Sequence, residues 1–134
     1  MLGLKTLPTL LVAALSALSS VAAGPIENRQ SCQYTCGSVC YWAEDIQEAV
    51  AQGYGYYQDN QQVGSNDYPH SYNNYEGLPL LVSGPYQEFP ILKTYKPYTG
   101  GSPGPDRVVF NTKGQFAAVV THTGASGNDF VSCK

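Results

Sequence analysis

Four cysteines, Cys32, Cys36, Cys40 and Cys133, constrain this 134-residue chain more than any other feature: three are clustered and the fourth stands next to the last residue. An even number in a small chain that carries a secretory leader reads as two disulfides made in an oxidising compartment. Whichever pairing is chosen, at least one bridge ties the clustered cysteines to the C-terminus, so the fold must bring its ends together. Closing a loop of about 100 residues is worth up to roughly 4.7 kcal/mol in loop entropy. A zinc site is the competing reading of clustered cysteines, and the three-residue gaps between neighbours speak against it.

The leader is read from the first thirty residues. Lys5, an apolar run from about Leu10 to Leu18, and the small residues Val21, Ala22 and Ala23 make a secretory signal over residues 1–23. That run is shorter than the roughly 20 apolar residues needed to span a bilayer. A buried N-terminal helix is the alternative. Residues 24–30 read as a pro-segment ending at basic Arg29, with the mature chain opening at Gln30, free to cyclise to pyroglutamate, or at Ser31. Residues 31–134 then form one small domain.

Charge narrows the function. The whole chain carries 7 basic and 10 acidic residues, and Lys5, Glu27 and Arg29 fall in the leader. The domain therefore has five basic and nine acidic residues, a net charge of −4. A protein that grips a long nucleic acid by its phosphates is usually basic. If RNA is the substrate, recognition must be local, one base and one phosphate, and the 11 tyrosines suit base stacking as well as core filling.

One stretch has helical periodicity. Ile46, Ala49, Val50, Tyr54 and Tyr57 share a face over residues 43 to about 58, with Glu44 and Asp45 at the positive end of the dipole. No Ser, Thr, Asp or Asn precedes them, so the helix start is expected to fray or to be capped by water. Residues 58–77 read as polar and turn-rich. Short strands are predicted around 78–82, 86–92, 107–111, 116–122 and 130–133, separated by glycine-rich loops at 100–105 and 123–127. The reading is α+β: one N-terminal helix packed on a twisted antiparallel sheet, with two disulfides.

Strand alternation indicates where chemistry gathers. Gln87, Phe89 and Ile91 share one face, with Glu88 on the other; Val108 and Phe110 oppose Arg107; His122 lies on the Val120 side. If the apolar faces meet the helix, a carboxylate, a guanidinium and an imidazole share the opposite face. Taken singly, each is as easily a surface or packing residue. As a set, Glu88, His122, Arg107 and His70 match what metal-free cleavage of a phosphodiester in RNA needs: a base, an acid and cations.

Blocks along the whole domain resemble the fungal guanyl-specific ribonucleases: CQYTCGSVCY from Cys32, YPHSYNNYEG from Tyr68, PYQEFPIL from Pro85, YTGGSPGPDRVVFN from Tyr98 and THTGASGNDF from Thr121. The resemblance implies that Glu88 is the general base for the 2′-OH and His122 the general acid for the leaving 5′-oxygen. It implies that His70, Arg107 and the Tyr68 hydroxyl stabilise the phosphorane, with His70 standing in as base when Glu88 is missing, and that Phe130 lowers the dielectric near the phosphate. For guanine it implies main-chain groups of Asn73 and Asn74, the Glu76 carboxylate, stacking by Tyr72 and Tyr75, and the Asn128 carbonyl. It also implies disulfides Cys32–Cys40 and Cys36–Cys133. The expected product is a 2′,3′-cyclic phosphate, then a 3′-phosphate. The expected enzyme is a secreted monomer acting on single-stranded RNA, with no cofactor, metal or membrane attachment. Trp42 stands where relatives tend to have serine, and Phe89 and Pro105 vary within blocks without touching a catalytic role. A non-catalytic RNA-binding effector, a ribotoxin and a cell-wall protein are the other classes. The intact catalytic set argues against the first and last, and the scarcity of lysine against the second.

Overall fold

A computed structural model describes residues 31–134; the signal and pro-segment read at 1–23 and 24–30 lie outside the described residues. The chain opens with an antiparallel hairpin, β1 (Tyr34–Cys36) and β2 (Val39–Tyr41), followed by α1 (Ala43–Gln58). A five-stranded antiparallel sheet follows, in spatial order β3 (His70–Tyr72), β4 (Tyr86–Pro90), β5 (Asp106–Asn111), β6 (Phe116–Thr121) and β7 (Val131–Ser132). This is the α+β architecture expected from the sequence, with the helix where its periodicity put it.

Four local expectations are corrected. Residues 78–82 form no strand; the segment crosses the sheet instead, anchored by Leu81 N–H to the Ala117 carbonyl at 3.0 Å. The polar stretch before it contains β3, whose alternation over three residues is too short to stand out. The hairpin at the start is a third element absent from the sequence reading. The helix start does not rely on water either. Trp42 offers no side-chain acceptor, but the Asp45 carboxylate reaches back to its N–H at 2.9 Å, and the Trp42 carbonyl accepts from Asp45 and Ile46. The cap is supplied from inside the first turn.

The helix buries Ile46, Ala49, Val50 and Gly53 against the sheet. A glycine inside a helix costs about 1 kcal/mol relative to alanine. Here the cost is forced: a Cβ at Gly53 would lie 2.8 Å from Phe89 Cβ and 2.9 Å from the Phe110 ring. The helix thus approaches close enough to seal Phe89, Val108, Phe110 and Val119 beneath it. Alternation then sends Val109, Ala118 and Val120 to the other face, where Tyr72, Leu80 and Phe130 partly cover them. Both faces of the central strands are therefore occupied, and only the ends of the second face are left for chemistry.

The disulfides join Cys32 to Cys40 and Cys36 to Cys133, with Cα–Cα distances of 5.4 and 4.6 Å. Beside the second bridge, Thr35 and Lys134 exchange main-chain hydrogen bonds in both directions, at 2.6 and 2.9 Å. The sequence separations are 8 and 97 residues, for which loop entropy gives about 2.5 and about 4.7 kcal/mol. The Cys36→Ala/Cys133→Ala pair should accordingly lower the melting temperature more than Cys32→Ala/Cys40→Ala. Equal losses would show that loop closure is not the source of the stabilisation.

Candidate active site

Strand pairing assembles the site. His70 is the register partner of Glu88, Glu88 of Val109, and Arg107 of Val120. Glu88 and Arg107 lie on the face turned away from the helix, as alternation requires. Glu88 sits between two cations, with Oε1 3.2 Å from His70 Nε2 and Oε2 3.2 Å from Arg107 Nε. The Arg107 N–H is not aimed at that oxygen, so the second contact is ionic rather than a hydrogen bond.

Arg107 is 3 % exposed and is held almost wholly by neutral groups. Nη1 donates to the carbonyls of Gly104 at 2.7 Å and Asp106 at 2.9 Å; Nη2 donates to the Tyr68 hydroxyl at 2.8 Å. Because Tyr68 accepts from Arg107, its own O–H remains for a ligand oxygen. The guanidinium also lies 5.0 Å from the centre of the Tyr68 ring, and His70 stacks on that ring at 4.6 Å.

Both nitrogens of His70 face acceptors: Nδ1 is 3.0 Å from the Asn66 carbonyl, and Nε2 faces Glu88. Neither acceptor can donate, so the imidazolium is the form that satisfies both. Hydrogen bonding to Glu88 raises the His70 pKa above 6.5, against the opposing pull of burial. His122 lies one residue past β6. Its Nδ1 faces the Asp129 carbonyl at 2.8 Å, which leaves Nε2 for a substrate, and its ring stacks on Phe130 at 4.0 Å.

The residues expected to read a base form a second cluster. Asn74 adopts a left-handed φ of 52° and spends its side-chain amide on Leu78, donating to its carbonyl and accepting its N–H. What Asn74 has left for a ligand is main chain. Asn73 donates to the Tyr75 hydroxyl at 3.1 Å, and Tyr75 stands 88 % exposed. Tyr72 is buried edge-on to Phe130, and burial, with the charges of Glu76 and Glu88, pushes its pKa up to about 12. Glu76 Oε2 accepts the Phe130 N–H at 3.0 Å. Asn128 is exposed in the loop between His122 and Phe130. Phe130 therefore touches His122, Tyr72 and Glu76, joining the two clusters.

Sequence reasoning missed the main-chain carbonyls of Asn66, Gly104 and Asp129, which orient His70, Arg107 and His122. It also missed Asp106, 2 % exposed, whose carboxylate accepts from Tyr41 at 2.5 Å and Thr121 at 2.7 Å. Among the described residues no group of three His, Cys, Asp or Glu is placed to hold a metal ion.

Comparison with known proteins identifies the family. The sequence pattern of the ribonuclease family matches residues 29–134, and the chain belongs to that family. It is similar to guanyl-specific ribonuclease T1 of Aspergillus oryzae, 54% identical over 130 residues covering 97% of this chain and 95% of the relative. It is 56% identical over 100 residues to the extracellular guanyl-specific ribonuclease Fl1 of Gibberella baccata, covering 75% of this chain and 94% of the relative. Among solved structures, a ribonuclease from Hericium erinaceus superposes with a TM-score of 0.56 at 34% identity, covering 77% of this chain and 97% of that one.

The His70–Glu88 pairing has a measurable signature. A folded pKa above the unfolded value means the stabilisation is complete below about pH 6.5 and is lost as pH rises through the folded pKa. NMR titration should place the His70 midpoint above 6.5, and Glu88→Gln should lower it. A midpoint that ignores Glu88→Gln would show that Glu88 does not hold the proton on His70.

Proposed function

We propose that the chain is a secreted, monomeric endoribonuclease that cuts single-stranded RNA on the 3′ side of guanosine without a metal or cofactor. The observation that carries this reading is Glu88 held between Arg107 and His70, with His122 on the same side of the sheet. In this reading Glu88 takes the proton of the 2′-OH, and the 2′-oxygen attacks the phosphorus. When Glu88 becomes neutral, its two cations lose their partner just as negative charge grows on the phosphorane. Arg107 and His70, with the Tyr68 hydroxyl, then act on that charge. His122 Nε2 protonates the leaving 5′-oxygen, and Phe130 behind it keeps water from the exchange. The first product is the 2′,3′-cyclic phosphate; slower attack by water gives the 3′-phosphate. His70 serves as base where Glu88 is absent.

Base choice rests on Glu76. A carboxylate has acceptor sites for more than one donor, so Glu76 keeps the Phe130 N–H and takes guanine N1–H and the 2-amino group. Main-chain groups of Asn73 and Asn74 serve the rest of the guanine edge, the Asn128 carbonyl accepts from the amino group, and Tyr72 and Tyr75 flank the ring. Adenine presents a lone pair at N1 and no 2-amino group. Glu76 is exposed in the free chain; once a base covers it, polar groups left unpaired discriminate by about 10⁴–10⁵ in favourable sites. Secretion rests on the leader pattern at 1–23 and on likeness to an extracellular relative.

A defined single-stranded RNA digested with EDTA present and mapped at single-nucleotide resolution should be cut after G and scarcely after A, C or U. Glu76→Ala should lose most of that activity while keeping the fold. Comparable cutting after A and G would sink the base-pocket assignment.

The acid role is separable. His122→Gln should slow GpN cleavage by about 10²–10⁴, but slow an aryl phosphodiester of guanosine far less, because that leaving group needs no proton. Equal losses on both would remove His122 from the acid position.

A further inference from the structure

Beyond His122 lies an open crevice of about 400 Å³ whose lining includes Ser38, Lys93, Thr94, Ser102, Gly104 and Thr123. We infer that this crevice holds the next phosphate on the 3′ side of the scissile bond, with Lys93 as its counter-charge. The inference rests on the proposed ribonuclease reading, since His122 as general acid marks the side on which the leaving strand departs.

Continuity comes from one loop. The Gly104 carbonyl holds Arg107 from within the site, and the Pro105 carbonyl accepts the His122 N–H at 2.9 Å. The same Gly104 and Pro105 form a wall of the crevice, and Thr123, next after His122, forms another. A leaving strand, its 5′-oxygen protonated by His122, therefore has this crevice beside it.

Chemistry agrees. Lys93 is exposed and is the only cation among the crevice residues, while Ser38, Thr94, Ser102 and Thr123 bring hydroxyls that donate to phosphate oxygens. The one carboxylate there, Asp106, is 2 % exposed, and each of its oxygens is paired within the protein, with Tyr41 and with Thr121. Lys96 faces a neighbouring cavity together with Asp45 and Glu48, and Lys113 lies in the turn between β5 and β6. In a domain of net negative charge, Lys93 is the cation placed to follow the substrate past the cut.

The test compares GpC, which ends before the phosphate in question, with GpCpC, which carries it. Lys93→Gln should leave kcat/KM for GpC unchanged and lower that for GpCpC by about two- to fivefold, the size of one exposed charge pair. The log–log salt dependence for GpCpC should become shallower by roughly 0.7, and Lys93→Arg should restore both. Equal effects on the two substrates, or none on either, would overturn the subsite. Failure of the native chain to cut GpC at all would instead strike the ribonuclease reading.

Discussion

A guanidinium keeps its proton throughout the pH range in which proteins fold, so a buried arginine obliges its surroundings to accept a permanent charge. Arg107 imposes that obligation at the centre of this fold. Three elements answer it: the loop carrying Gly104, the chain leading into β3 through Tyr68, and β4 through Glu88. Each is fixed by what it gives Arg107. Glu88 is in turn an anion flanked on both sides, which is why His70 prefers to be charged. The site is thus built around one residue that has no alternative charge state.

The two faces of the sheet explain why so few residues can carry the chemistry. One face is sealed by a helix pressed close enough to require glycine at position 53, and the middle of the other is covered by Tyr72, Leu80 and Phe130. Polar side chains survive only where β3, β4 and β5 run side by side and where β6 gives way to its loop. Phe130 bridges these regions, so groups suited to choosing a base and groups suited to donating a proton share one aromatic ring as their wall.

Much of this was legible in the sequence. The helix over 43–58 stood out because Ile46, Ala49 and Val50 repeat at its period. Alternation put Glu88 opposite Phe89 and Arg107 opposite Val108 before any pairing was known. Other features could not be read. β3 is three residues long, shorter than any periodicity test needs, and residues 78–82 mimic a strand because they are apolar for a different reason, covering a sheet rather than joining it. The carbonyls of Asn66, Gly104 and Asp129 leave no trace in composition, since every residue has one. Asp45 as a cap for its own helix is not distinguishable in sequence from a first-turn carboxylate that merely suits the dipole.

The Cys36–Cys133 bridge closes nearly the whole domain into a covalent ring, and the reciprocal hydrogen bonds between Thr35 and Lys134 fasten the seam beside it. A peptide bond cut in a surface loop of such a ring yields no separate fragments. The two pieces stay attached through the sulfur bridge and through every strand pairing that spans the nick, and they remain each other's nearest neighbours. For an enzyme, a single nick inside the ring therefore makes two new ends but frees neither piece, because the bridge and the sheet hold both in place.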